Sequence, residues 1–145
     1  MGIGIYLEPE DDVLIESTSP LVVTFDGIVG GSQDRQIFIR NNDRELWYSD
    51  ISLTAVDTSG IDIVDGTAEG FEWKLLQKDT PPTNDEWRLV TAGASLSFAS
   101  NLGSSTLADI SSYISAWVRV SIPRGQPGST ITDVVLRLAF TENLI

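Results

Sequence analysis

Apolar and polar residues alternate with a period of two along much of this chain, and long 3.6-residue stripes are missing. The clearest case runs from Trp47 to Ala55. Trp47, Ile51, Leu53 and Ala55 share one face, with Ser49 among them, and Tyr48, Asp50, Ser52 and Thr54 share the other. That pattern predicts a half-buried strand with a core side and a wet side. Leu21, Val23 and Phe25 alternate in the same way, as do Ile37 and Ile39 between Gln36 and Arg40. Phe71, Trp73 and Leu75 alternate with Glu72 and Lys74, Trp87 and Leu89 with Arg88 and Val90, and Leu96 and Phe98 form a short strand. Two strong strands close the chain: Ile114, Ala116, Val118, Val120 and Ile122 point one way in the first, and Val134, Leu136, Leu138 and Phe140 in the second. The linker Pro123-Arg124-Gly125-Gln126-Pro127-Gly128 between them cannot continue a ladder.

Only Ser104 to Tyr113 hints at helix. Ser104 or Ser105 can cap it, and Leu107, Ile110 and Ile114 recur at three- and four-residue steps. One or two turns crossing an end of the fold are expected there. About seven to nine strands separated by turn signals predict an all-β protein built as an antiparallel β-sandwich, with a jelly roll as the neighbouring solution.

The first residues stand apart. Residues 1–7 are apolar and Gly-spaced, and Glu8-Pro9-Glu10-Asp11-Asp12 follows, four acids in five positions that repel one another. Residues 1–12 read as an N-terminal arm and 13–145 as the sandwich domain. The arm is either a frayed tail or a strand whose Ile3, Ile5 and Leu7 pair with a sheet edge, the chain's own or a neighbour's. The apolar run stops at Glu8 and lacks a basic flank, so no cleaved leader is expected. No apolar stretch approaches the roughly 20 residues that span a bilayer, so no membrane partner is expected.

Composition sharpens this picture mainly by exclusion. The 145 residues carry 21 acids and 9 bases, a formal net charge of −12, with no His and no Cys. Disulfides, iron–sulfur clusters and thiolate zinc sites are ruled out, and the commonest general base and transition-metal ligand is absent. Nucleic-acid binding needs clustered Lys and Arg to neutralise phosphate, so that partner is not expected.

Chemistry is equally hard to place. No G-x-S-x-G elbow appears, and only Lys74 and Lys78 could serve a Ser–Lys arrangement. Both sit in or just after a strand among acids. Gly27-Ile28-Val29-Gly30-Gly31-Ser32 is Gly-rich, but no helix and no G-K-[ST] follow, so an ordinary turn is expected. Asp57, Asp62 and Asp65 offer carboxylates to a hard cation without the tight D-x-D-x-D-G spacing, and a solvated turn region is the plainer reading. No enzyme activity, cofactor or metal is therefore expected.

Aromatic residues are the remaining signal. Trp47, Trp73 and Trp87 fall on the apolar parity of their strands, which favours core. Trp117 instead shares its face with Tyr113, Ser115 and Arg119. If the last two strands pair, Trp117, Arg119, Val135 and Arg137 form an outward patch of residue types enriched in interface hot spots. The alternative is a Trp covered by the chain's own loop.

The segment Ser115-Ala116-Trp117-Val118-Arg119-Val120-Ser121-Ile122-Pro123-Arg124-Gly125-Gln126-Pro127-Gly128, followed by Asp133-Val134-Val135-Leu136-Arg137-Leu138, resembles the W-V-R-V-x-[VI]-P-x-G-x-P ending of small β-sandwich structural proteins of tailed bacteriophages. Phe25-Asp26-Gly27, Gly30-Gly31, Ile37-Phe38-Ile39-Arg40-Asn41-Asn42 and Tyr48-Ser49-Asp50-Ile51 look like the same proteins, in which an Arg-Asn pair ends one strand and a Tyr-x-Asp pattern opens the next. The resemblance touches about two-thirds of the chain. It implies an Ig-like, non-enzymatic virion component: a capsid decoration (cement) protein, or a tail, neck or baseplate protein. The partners implied are the major capsid protein or other virion proteins, with copies arranged as a homo-oligomer or symmetric array.

Strong negative charge suits an abundant surface protein and disfavours a seat against packaged DNA, so the outer surface of the capsid is the expected location. Contacts are expected from the arm, through Ile3, Ile5, Tyr6 and Leu7, and from the patch at Trp117, Arg119 and Arg137. A glycan- or cell-surface-binding sandwich is the competing class, and it requires accessible aromatic rings.

Overall fold

The computed structural model describes residues 2–7, 31–57, 71–122 and 134–145. Among these residues seven strands and one short helix run in the order β1 (Ile3–Tyr6), β2 (Gly31–Asn41), β3 (Leu46–Asp57), β4 (Glu72–Gln77), α1 (Asn84–Arg88), β5 (Leu96–Ser97), β6 (Tyr113–Ile122) and β7 (Val134–Leu144). They form a four-stranded sheet of order β1-β2-β6-β4 and a three-stranded sheet of order β5-β3-β7. Every pairing is antiparallel. The all-β, two-sheet architecture is the one the alternation predicts. The stretches 8–12, 21–30, 58–66 and 123–128, with the acidic-arm, strand, turn and Asp62 and Asp65 readings placed on them, lie outside the described residues, while Asp57 ends β3 and Gly31 and Ser32 open β2.

Apolar alternation supplies the core. Ile37 and Ile39 of β2, Ile114, Ala116, Val118 and Val120 of β6, and Leu75 of β4 face Tyr48, Ile51 and Leu53 of β3. Ile3 and Ile5 of β1 join the same cluster. Leu136, Leu138 and Phe140 of β7 pack against it half-buried, at the edge of the smaller sheet. Each large side chain taken fully out of water contributes about 1.5–3 kcal/mol, so this shared cluster is what joins the two sheets.

Strand β3 departs from its sequence reading at one residue. Ser49 pairs with Thr141 but Ser52 with Ala139, so β3 carries one extra residue against β7. Asp50 takes up that residue at φ 51°, a left-handed conformation that Asp tolerates better than most residues. The Thr141 hydroxyl donates to Asp50 Oδ2 at 3.2 Å. Such a bulge reverses side-chain parity upstream of it. Ile51, Leu53 and Ala55 point inward as expected, but Tyr48 is fully buried among them, while Trp47 is only half-buried. Uninterrupted alternation had placed Tyr48 on the wet face.

Two other expectations are corrected. Residues 84–88 around Trp87 form a helix, not a strand, because Thr83 and Glu86 make a capping box. The Glu86 amide donates to Thr83 Oγ1 at 3.2 Å, and the Thr83 amide donates to Glu86 Oε1 at 3.0 Å. Asp85 and Glu86 in the first turn and Arg88 in the last suit the helix dipole. The predicted helix over 104–113 is absent. Ser104 and Leu107 exchange reciprocal backbone hydrogen bonds of 2.7 and 3.2 Å, closing a tight turn. Gly103 enters it at φ +88°, where an added Cβ would lie 2.5 Å from Leu107 O, and Asp109 leaves it at φ 54°. The positive φ of Asp109 is incompatible with a continuous right-handed helix over 104–113.

The Asp50 conformation gives a direct test. Replacing Asp50 with Val is expected to cost about 1–2 kcal/mol, because a β-branched residue resists the left-handed region. Asp50→Gly should cost less than that. Urea denaturation of the two variants measures the difference; equal losses would show that the bulge does not depend on the conformation at Asp50.

Candidate functional site

Two places gather polar and aromatic groups on this framework: the seat of β1, and the outer face of the four-stranded sheet. The seat begins with register. Ile3 pairs with Asn41, Gly4 with Arg40, Ile5 with Ile39 and Tyr6 with Phe38. Ile3 and Ile5 therefore turn into the core, while Tyr6 turns to the outer face beside Phe38. The arm pairs with the chain's own sheet edge. Ile3, Ile5 and Tyr6 are all buried there, and Leu7, 38 % exposed, is the one of the four expected contact residues that stays at the surface.

The inward turn of Tyr48 completes the seat. The Gly2 amide donates to the Tyr48 hydroxyl at 2.9 Å, and that hydroxyl donates to Glu142 Oε2 on β7 at 3.1 Å. Tyr48 also stacks edge-on against Phe140, with ring centroids 5.3 Å apart. The Asn42 amide donates to Gly2 O at 2.7 Å. Buried Asn41 donates to Leu46 O at 2.7 Å and to Ala108 O at 3.2 Å, and its Oδ1 accepts from the Asp43 amide at 2.8 Å. Gly2 has no room for a side chain: a Cβ would lie 2.4 Å from Asp43 Cβ. Burial pushes the Tyr48 hydroxyl above its ordinary pKa; the Gly2 amide opposes that shift, and the Glu142 and Asp43 carboxylates reinforce it.

On the outer side, Asn42 Nδ2 donates to the Tyr6 hydroxyl, and the Arg40 guanidinium lies 4.8 Å over the Tyr6 ring. Tyr113, 46 % exposed, meets Phe38 edge-on at 5.1 Å. Tyr6, Phe38 and Tyr113, with Arg40, make an aromatic cluster that the period-two reading had not assembled, because its members come from three strands. Its signal was the second row on β2, Phe38 and Arg40 opposite Ile37 and Ile39.

Further along the same face, Arg119 is committed within the chain. It pairs across the ladder with Asp34, donating from Nε to Oδ1 at 2.7 Å and from Nη2 to Oδ2 at 3.0 Å. Its Nη1 donates to Asn84 Oδ1 at 3.0 Å, and its guanidinium lies 5.1 Å over the Trp87 ring. Trp87 Nε1 donates to Asp34 Oδ2 at 3.2 Å. The group clamps α1 onto the sheet and buries Trp87 on its outer face. Ser115, buried on the same row, donates to Lys78 O at 2.9 Å, so the segment leading into α1 is anchored there as well.

Trp117 lies on this row between Ser115 and Arg119. It is half-buried, and its enclosed Nε1 has no hydrogen-bond partner among the described residues. Arg137 lies on β7 in the other sheet, so the expected patch of Trp117, Arg119 and Arg137 is not assembled: β6 is flanked by β2 and β4, and β7 pairs with β3. Arg137 is exposed on that strand. Among the described residues the most exposed large apolar side chain is Leu89, 89 % accessible just past α1.

Lys74 and Lys78 are both engaged. Lys74 donates to Trp87 O at 3.3 Å, and Lys78 pairs with Glu86, holding the Glu86 carboxyl below its ordinary pKa together with the Thr83 amide. Among the described residues, no group of three or more acidic, His or Cys side chains converges as a metal site, and no helix is long and apolar enough to cross a membrane.

Two measurements test these clusters. Tyr48→Phe leaves the Gly2 amide without its partner and should cost about 1–3 kcal/mol in urea. The folded protein holds the Tyr48 proton to higher pH than the unfolded chain does. The wild type should therefore keep this contribution below pH about 10 and lose it as pH rises further, and Tyr48→Phe should flatten that loss. Arg119→Ala should cost about 1–3 kcal/mol and red-shift Trp fluorescence, since it strands a half-buried Asp34 and uncovers Trp87. An unshifted spectrum would mean that α1 stays docked without the clamp.

Comparison with known families, curated proteins and solved structures found no match to this chain.

Proposed function

We propose that this chain is a non-enzymatic structural protein of a tailed-phage virion, an Ig-like sandwich that decorates the outside of the capsid and stabilises it. The observation that carries the reading is the manner in which polar chemistry is spent. The Arg119–Asp34–Trp87 clamp and the Tyr48 seat consume charged and hydrogen-bonding groups in fastening elements to the two sheets. Among the described residues, separate apolar and basic side chains remain outward, among them Leu7, Leu89, Leu107, Tyr113, Leu144, Arg44 and Arg137. A rigid module of this kind suits repeated, multivalent attachment to a lattice, where avidity replaces affinity at any one contact. The Trp117-to-Gly128 and Arg40-to-Ile51 patterns that resemble phage structural proteins support the same reading. A tail, neck or baseplate position is the same role at another address.

A second reading follows from the outer aromatic cluster. Tyr113, braced by Phe38 and beside Arg40, is a platform on which a sugar ring could stack, which favours a glycan-binding module over an enzyme.

The test is to mix the purified protein with undecorated heads and image them. Stoichiometric, symmetric density on the outside is expected, with occupancy reduced by Leu7→Asp or Arg137→Glu, substitutions that leave the core intact. Heads that stay bare, with a glycan-array signal that Tyr113→Ala abolishes, would replace this reading with the second.

A further inference from the structure

Six large apolar side chains stay exposed among the described residues: Leu7, Leu89, Leu107, Tyr113, Leu144 and Ile145. Three of them gather at one end of the sandwich, around Leu46. Asn41 Nδ2 donates to Leu46 O at 2.7 Å and to Ala108 O at 3.2 Å, so the turn that carries Leu107 is held against the first residue of β3. Leu46 pairs across the ladder with Leu144, and the Ile145 amide donates to Glu45 O at 3.1 Å. Two residues along, Tyr48 is bridged to Leu102 on one side and paired with Glu142 on the other. Leu107 therefore flanks Leu46 on one side, and Leu144 and Ile145 flank it on the other.

These side chains are exposed on backbone that is hydrogen-bonded in place. Leu107 is 60 % exposed within its closed turn, and Leu144 is 80 % exposed within the ladder. The cause is geometric. Opposite residues of an antiparallel pair share a face, so Leu144 turns to the same side as Leu46, which packs against the core. In the facing sheet β2 stops at Asn41, β1 begins at its register partner Ile3, and β6 begins at Tyr113 opposite Arg40. No strand of that sheet continues over Leu144. An aliphatic surface fixed by the fold and left uncovered by it is suited to contact with another molecule.

Charge selects the partner. Asp43 and Glu45 in the β2–β3 turn, Asp109 beside Ala108 and Glu142 beside the end of β7 border this surface, against Arg40 and Arg44. Acids prevail there, as they do in the whole chain of net charge −12. A second copy, a nucleic acid or an anionic lipid surface would bring negative charge to negative charge. A protein surface whose apolar centre is edged by Lys and Arg complements both the aliphatic patch and its border.

We propose that this end of the sandwich, Leu46 with Leu107, Leu144 and Ile145, is the docking surface for a protein partner that presents an apolar centre edged by Lys and Arg. This docking face rests on the virion reading, in which the partner is a subunit of the shell.

Undecorated heads are the probe. The full-length double variant Leu107→Asp/Leu144→Asp changes two exposed side chains. It should bind heads about tenfold more weakly than the wild type, a larger loss than Leu7→Asp or Arg137→Glu gives. Leu107→Met/Leu144→Met should bind as the wild type does. Wild-type binding should weaken as salt rises, because acids on this face meet bases on the shell. Hydroxyl-radical footprinting of the wild-type chain on heads needs no substitution: Leu107 and Leu144 should be protected, and Leu89 beside α1 should stay reactive. Undiminished binding by a folded Asp variant, binding indifferent to salt, or protection of Leu89 instead of Leu107 and Leu144 would overturn this docking face and leave the virion reading standing. Heads that stay bare with the wild type would overturn both.

Discussion

The Tyr48 hydroxyl lies where three separate parts of the chain converge. It accepts from Gly2 ahead of β1 and donates to Glu142 on β7, while its backbone exchanges two 2.9 Å hydrogen bonds with Leu102. A buried phenol that satisfies its hydroxyl twice is a strong positional constraint, because moving any partner leaves a polar group unpaired inside the core. The seat of β1, the end of the β3–β7 ladder and the path of the 96–102 segment all depend on it. Tyr48 reaches that position only because Asp50 adds one residue to β3.

The outer face of the four-stranded sheet follows a similar economy. A row of outward side chains on β6 would ordinarily face water. Here Ser115 and Arg119 fasten the segment that leads into and forms α1, and Trp87 is carried under that cover. The helix has five residues, too few to persist by its own hydrogen bonds. Its capping box and its tether to Asp34 and Arg119 make it a fixed part of the surface. Arg119, attractive as an interface residue by type, serves the chain's own architecture.

The aromatic end of the same face differs. Tyr6 and Phe38 are buried and Tyr113 projects, so this end combines a rigid base with an accessible ring. Together with Leu7 at the end of β1, it is the part of the surface where the arm, the sheet and solvent meet. The surface-protein reading places one of its two tested contacts, Leu7, in this region and the other, Arg137, on the opposite sheet.

Strand identity was legible wherever alternation was uninterrupted. β2, β4, β6 and β7 were each marked by their own apolar rows, because the pleat imposes a period of two on any sheet with one buried face. The capping box Thr83-x-x-Glu86 was equally present in the residues, but the local alternation around Trp87 competed with it. Sequence did not determine what depends on partners distant in the chain. The bulge at Asp50 exists because β3 must match β7 across more than eighty residues, and that one residue reversed the expected roles of Trp47 and Tyr48. Sheet membership separated Arg137 from Trp117, since side-chain parity fixes which face a residue takes but not which strand lies beside it. Local pattern thus determined the elements and their buried faces. Tertiary structure alone decided which of those faces meet, and so which polar residues are spent within the fold and which stay at the surface.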